Sequence, residues 1–465
     1  MSQLNADRCF IFTDTETTGL DINFSQIIQV GSLVTDESLE VENEHNLSCN
    51  LLPWIVPSPE ALLVHKKVDC LGSDESTHYD MMLKLRSDWL DWSKDKNPVY
   101  VTYNGHRFDE ELFRRQFYWC LLPQYITNTS GATRLDLMFT FQIVANFFAD
   151  KMPIPIDEEG RVSMKLTDWA DANKVSSIDA HDAVADCYLM LNLARIISEK
   201  ALPAWQSSVI GSSKGGNLNI LQSQPFTMLS EVVRRKKFTY PVTFCGQNTK
   251  MTNEVAVVDL YYDPDLLDEM TDSELLEQIG SSGSAIIKLR INKSLPIINP
   301  MNVPNVQDYL DIPFSQLEER AEKIRNNTRL QIRISELLSN NQTTYPPPKY
   351  VEQSVYAGFA SSEDELWMER FHESPWEDRS RLVEGFEDSR YRELAERLIC
   401  TNSFESADEK IKERYSEFIR HRTHETGPWL SLDKALEKTK NLLIEAEGER
   451  KEILEALLKK LNTLK

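Results

Sequence analysis

The first 200 residues alternate strand-like with helix-like runs, and this alternation restricts the fold more than any other feature of the chain. RCFIFTD, SQIIQVGSLVTD and NLSCNLLPWIV predict three early strands. NPVYVTYNG (97–105) predicts a buried strand, and FDEELFRRQFYWCLL a helix after it. HDAVADCYLMLNLARIISEK (181–200) predicts a second helix, because Val184, Cys187, Leu191 and Ala194 recur at helical spacing. At 465 residues the chain exceeds one ordinary core. Two linker-like stretches, SSVIGSSKGG (207–216) and NNQTTYPPPKY (340–350), suggest where it divides. The expected domains are 1–202, 203–350 and 351–465. Short strands such as VAVVDLYYD and SAIIKLRI predict a small barrel-like sheet in the middle domain. The last domain is helical: DSRYRELAERLI, DEKIKERYSEFIRH and LDKALEKTKNLLIEAEGERKEILEALLKKL carry apolar residues at three and four spacing.

The seven cysteines are scattered without a Cys-x-x-Cys pair, which indicates neither a zinc site nor a disulfide framework. Such thiols suit a reducing cytoplasm. The N-terminus has no signal-peptide character, and no run approaches the length of a membrane span. The net charge of −22 argues against a nonspecific polyanion binder. It is unevenly spread: residues 1–200 carry 17 basic and 31 acidic side chains, whereas residues 201–250 carry six basic and one acidic. A local basic strip binds a phosphate backbone even on an acidic protein.

FIFTDTETTGL (10–20) ends an apolar strand in two carboxylates. Asp14 and Glu16 point to the same side of the strand, and like charges held that close call for a cation between them. A strand end reaching solvent would look the same. Asp109 follows the strand at 97–105 and opens a helix, where a helix dipole alone also favours it. His181 and Asp186 are five apart on one helix, roughly 140° around its axis, which suits different jobs, one on a metal and one beside it. Asp182, four before Asp186, competes for the metal role on geometry.

Asp14-x-Glu16, Asp109 and His181-x-Ala183-x-x-Asp186 resemble the acidic set of DEDD-type exonucleases with a histidine five before the last aspartate. YNGHRFDEELFRRQFY, SMKLTDWADANKV, KLRINKSLPII and VYAGFASSEDE resemble bacterial exonuclease I, over nearly the whole chain. The resemblance implies an α/β, RNase H-like exonuclease domain with a mixed sheet, then an SH3-like β-rich domain and an all-α C-terminal domain. It implies processive 3′→5′ degradation of single-stranded DNA to 5′-mononucleotides, in DNA repair and recombination, by a cytoplasmic monomer. Two Mg2+ ions, replaceable by Mn2+, would be held by Asp14, Glu16, Asp186 and Asp109, with His181 as general base. The expected partner is the acidic C-terminal tail of single-stranded-DNA-binding protein.

The resemblance also places Lys165 and Glu16 at the substrate and Arg114 on DNA, with His65 near the terminal nucleotide, although a loop histidine is the simpler reading. Between 119 and 142 the sequence departs from the family: Asn128 and Gln142 stand where aromatic and arginine DNA contacts are expected. Tyr118, Trp119 and Tyr125 offer stacking instead, with core packing the better reading for Trp119. In VVRRKKFTYPVTF (232–244), Arg234, Arg235, Lys236 and Lys237 form the strongest basic run, read either as a DNA-tracking strip or as a solvated turn. The rival functions are an RNA exonuclease or proofreading-type nuclease, and a non-catalytic nucleic-acid-binding protein on the same fold.

Overall fold

The computed structural model describes residues 7–72, 76–176, 182–281, 283–341 and 346–464. The N-terminal unit is a five-stranded mixed sheet in the order β3-β2-β1-β4-β5. Its strands are β1 (Arg8–Thr17), β2 (Ile27–Thr35), β3 (Val41–Ser48), β4 (Asn97–Thr102) and β5 (Thr133–Asp136). The first three pair antiparallel, while β4 lies parallel to both β1 and β5. Helices α1 (Pro59–His65), α2 (His78–Trp92), α3 (Asp109–Trp119), α4 (Leu137–Phe147), α5 (Leu166–Ala172) and α6 (Ala183–Lys200) accompany the sheet. β1 and β2 are almost wholly buried, so their apolar runs were readable as strands.

The third strand falls earlier than NLSCNLLPWIV suggested. β3 is the polar VENEHNLS at the sheet edge, largely exposed, and it is held by backbone pairing rather than by an apolar face. LLPWIV is a loop segment instead, whose Trp54 packs edge-on against Phe418 at 5.4 Å between ring centres.

SSVIGSSKGG is not a free linker. It lies mostly in α7 (Leu202–Ile210) and α8 (Lys214–Gln222), where Ser213 caps the second helix through the Gly216 N–H and buried Ser207 donates to the Ile297 carbonyl at 2.8 Å. Composition suggested flexibility, but these serines are hydrogen-bonded inside.

The middle unit is a six-stranded sheet in the order β11-β6-β7-β8-β10-β9. Its strands are β6 (Thr227–Val233), β7 (Lys236–Gln247), β8 (Glu254–Asp259), β9 (Ile279–Gly280), β10 (Ile286–Arg290) and β11 (Ile297–Ile298). Helices α9 (Pro264–Glu269), α10 (Asp272–Gln278), α11 (Phe314–Asn326) and α12 (Thr328–Asn340) complete it. Within the second expected linker, residues 342–345 lie outside the described residues.

The C-terminal unit contains α13 (Ser362–Glu373), α14 (Trp376–Leu382), α15 (Ser389–Asn402), α16 (Glu409–His424), α17 (Leu432–Leu443) and α18 (Gly448–Thr463). The last two break what read as one long helix, and Gly448 at φ 53° makes the return possible.

Both outer units share hydrophobic cores with the first. Trp89, Phe113 and Phe117 join Val355, Phe371, Tyr391 and Leu394 in one cluster. Phe141 and Trp169, on the other side of the sheet, join Phe226, Met228 and Ile298. Leu62 of α1 packs with Leu436 and Leu457 of α17 and α18.

Candidate active site

Asp14 and Glu16 stand at the C-terminal end of β1, opposite Gly31 and Gln29 of β2. The start of α6 lies directly on β2: a Cβ at Gly31 would fall 2.3 Å from the Ala183 carbonyl carbon, so only glycine admits the helix there. This close approach delivers Asp186. Carboxylate oxygens of Asp14, Glu16 and Asp186 come within 4.8 Å of one another.

Asp182 is otherwise engaged. It caps α6 by accepting from the Val184 and Ala185 N–H groups, accepts from Gln29 Nε2 at 3.0 Å, and pairs with Lys67 Nζ at 2.6 Å. Asp182 thus serves as the cap of α6, while Asp186 faces the strand carboxylates. His181 lies outside the described residues.

Asp109, the first residue of α3, is 6% exposed and accepts from Thr15 Oγ1 at 2.5 Å. It stands beside the trio rather than in it, yet its charge is felt at Asp14. Burial, then Asp109, Asp186 and Glu16, push the Asp14 carboxyl well above its ordinary range. Burial and Asp186 raise Glu16 to about 8, with Lys67 pulling the other way. Burial also raises Asp109 to about 6, partly offset by the Thr15 hydroxyl. A cluster of crowded carboxylates, all hard oxygen donors, fits a small divalent cation whose charge would let them ionise.

Lys67, Gln29, Thr15 and Gly31 were not singled out from sequence. Lys67 lies two residues after His65 in the segment His65-Lys66-Lys67-Val68, but nothing local distinguishes it from a solvated lysine. His65 is no loop residue: it ends α1 at 5% exposure, accepts the Lys67 N–H on Nδ1 at 3.0 Å, and bonds the Thr17 backbone. Burial holds its pKa down at about 4, so the ring is neutral.

Lys165 is exposed at the start of α5, and the Met164 carbonyl beside it accepts from Tyr103 Oη at 2.6 Å, tying this segment to the end of β4. Arg114 is 11% exposed along its side chain and turned inward. It donates to Glu111 at 3.2 Å and Tyr356 Oη at 3.0 Å, and lies 5.6 Å from the Tyr125 ring centre. In this conformation it joins α3 to the C-terminal unit. Tyr118 and Trp119 are both core residues, at 1% and 5% exposure, so Tyr118 offers no stacking face. Tyr125 is partly exposed and rests against Phe359 at 5.7 Å. Asn128 is exposed, whereas Gln142 is buried and accepts the Val232 N–H at 3.4 Å.

Arg234 and Arg235 form the two-residue turn of the β6–β7 hairpin, with φ of 49° and 69°. All four basic residues of the run are exposed. Arg235 pairs with Asp157 at 3.3 Å and its carbonyl accepts the Val162 N–H at 2.8 Å, so the tip leans on the first unit.

Comparison with known proteins agrees with this layout. Residues 349–463 match the model of the exonuclease I C-terminal domain. Exodeoxyribonuclease I of Buchnera aphidicola (subsp. Acyrthosiphon pisum) is 24% identical over 413 residues, 85% of this chain and 97% of that one. The crystal structure of E. coli exonuclease I in complex with a dA16 oligonucleotide superposes at a TM-score of 0.84, with 19% identity, over 98% of this chain and 100% of that one. An SSB/exonuclease I structure with a bound inhibitor gives 0.81 at 19% identity, over 98% and 100% of the two chains. The C-terminal 115 residues are matched by the exonuclease I domain model, and the chain as a whole resembles bacterial exonuclease I in sequence and in fold.

Proposed function

We propose that this protein is a divalent-metal-dependent exodeoxyribonuclease that removes 5′-mononucleotides from the 3′ end of single-stranded DNA. The observation that carries the reading is the trio Asp14, Glu16 and Asp186, with Asp109 beside it. The names of the relatives and the oligonucleotide bound to E. coli exonuclease I support the substrate class. In this reading Asp14, Glu16 and Asp186 would hold one Mg2+ ion, and Asp14 with Asp109 would hold a second. When bound, such ions would supply the positive charge that activates water and stabilises the leaving oxygen. Glu16 also faces the terminal nucleotide, and Lys165 meets its phosphate. His181 would take the proton from water. The basic hairpin at Arg234–Lys237 would follow the DNA backbone. Arg114 would reach DNA only by leaving Glu111 and Tyr356. The acidic tail of single-stranded-DNA-binding protein is the expected protein partner, supported by the SSB/exonuclease I structure.

The test is digestion of 3′- and 5′-labelled single-stranded DNA with Mg2+, against RNA of the same sequence and against Asp14→Asn. Immediate release of the 3′ label as mononucleotide, abolished in the variant, is the expected result. Equal cleavage of RNA would favour the RNA exonuclease reading. Binding without Mg2+-dependent release would favour a non-catalytic binding protein.

A further inference from the structure

The loop between β4 and α3 leads directly into Asp109, and groups from two units hold that loop. Asn104 takes a left-handed φ of 56°. Its N–H donates to Asp136 Oδ1 at 2.7 Å, and the His106 N–H donates to Asp136 Oδ2 at 3.3 Å. The loop has no slack: a Cβ at Gly105 would lie 2.4 Å from Thr102 Oγ1 and 3.0 Å from Asp109 Oδ2. The loop thus packs closely against the Asp109 carboxylate, which Thr15 Oγ1 also holds.

The turn Asn292–Ser294 of the middle unit, between β10 and β11, closes on the same loop. The Ser294 N–H donates to His106 Nε2 at 2.9 Å, which puts the imidazole proton on Nδ1. Ser294 Oγ accepts the Asp136 N–H at 2.8 Å. Lys293 Nζ donates to the His106 carbonyl at 3.2 Å, and Arg134 Nη2 to the Asn292 carbonyl at 3.0 Å. His106, Asp136 and Ser294 are 3%, 1% and 6% exposed, so bulk water does not compete for these bonds.

We propose that the Asn292–Ser294 turn is a positioning element of the metal site: by locking the Gly105–Arg107 loop it sets where the Asp109 carboxylate stands. The middle unit then belongs to the scaffold of the active site, with Ser294 and Lys293 as positioning residues that touch neither metal nor substrate. This inference rests on the reading of Asp109 as a ligand of the second ion.

The experiment uses the full chain with Ser294→Ala, Lys293→Met and Lys293→Arg, and Asp109→Asn as reference. Mn2+ binding is titrated without DNA, kcat and KM are measured across Mg2+ concentrations, and Tm is recorded. Loss of a supporting contact behind a ligand weakens metal affinity about 10- to 100-fold. Ser294→Ala should weaken the lower-affinity Mn2+ site by about 10-fold and raise the Mg2+ needed for half-maximal rate similarly, with KM for DNA unchanged. Lys293→Met should do the same to a lesser degree and Lys293→Arg restore it, a pair that carries the test if Ser294→Ala does not fold. If these variants lower Tm but leave Mn2+ binding and Mg2+ demand unchanged, while Asp109→Asn removes a site, the proposal is overturned. If Asp109→Asn also leaves Mn2+ binding unchanged, the two-ion reading itself fails.

Discussion

Burial and the charge of Asp186 lift Glu16 from 4.5 to about 8. A carboxyl that holds its proton more tightly folded than unfolded favours the folded state below about 4.5, and that contribution is lost as pH rises toward 8. Without metal, Tm should therefore fall across this window, and Glu16→Gln should remove part of the fall. Mg2+ should raise the wild-type Tm most at the alkaline end, where the carboxylates are ionised. Melts in chelator and in Mg2+ between pH 5 and 8 check this, and an identical slope in Glu16→Gln would refute it. Asp14, Glu16, Asp109 and Asp186 stood out in sequence only as a set, because their order, spacing and strand-end or helix-start placement resemble the acidic set of DEDD-type exonucleases, whereas each alone had a bland reading. Lys67 and Gln29 did not stand out, because they meet Asp182 from 115 and 153 positions away. Only the folded chain brings them together.

The contact between β2 and α6 is the element on which the trio depends. Gly31→Ala would drive a methyl group into the backbone of Ala183, which no side-chain rotation relieves. The expected cost is about 1–3 kcal/mol of stability, with loss of metal binding larger than stability alone explains, because Asp186 moves with the helix. Urea unfolding and Mn2+ titration of the same preparation separate the two effects. A variant that binds Mn2+ normally would show that α6 tolerates the shift. Periodicity revealed α6 itself, but Gly31 looked like any glycine in a strand. The same limit explains β3 and the serine-rich α7–α8 turn: edge pairing and buried hydroxyl partners leave no apolar pattern to read.

Across the whole molecule, the C-terminal unit is fastened to the first through a buried charge cluster. Glu352 accepts from Arg397 Nη1 at 2.7 Å and Arg422 Nη2 at 2.6 Å, all three nearly fully buried. The Arg422 guanidinium lies 4.8 Å from the Phe24 ring centre in the first unit and 4.1 Å from that of Trp429. Glu352→Ala would take a carboxylate from both buried guanidinium groups, leaving Arg397 with Glu393 but Arg422 with no carboxylate partner among the described residues, at a cost of about 3–5 kcal/mol in unfolding experiments. A cost under about 1 kcal/mol would mean that water enters and solvates them. Because residues from Val351 onward complete the core around Trp89 and Phe113, a chain ending there should lose stability as well as grip on DNA.

The lock of the Asn292–Ser294 turn on the Asp109 loop also has a meaning in time. Synthesis runs from the N-terminus at about 5–20 residues per second, and each unit folds as it emerges. Asp14 and Glu16 leave the ribosome first, Asp186 much later, and the turn that secures Asp109 later still. The nascent chain thus spends on the order of 15–60 s without a finished site. Fragments from stalled or interrupted translation that end between residues 187 and 291 would carry the acidic residues yet hold the second ion more weakly, which would lower their activity toward the cell's own single-stranded DNA.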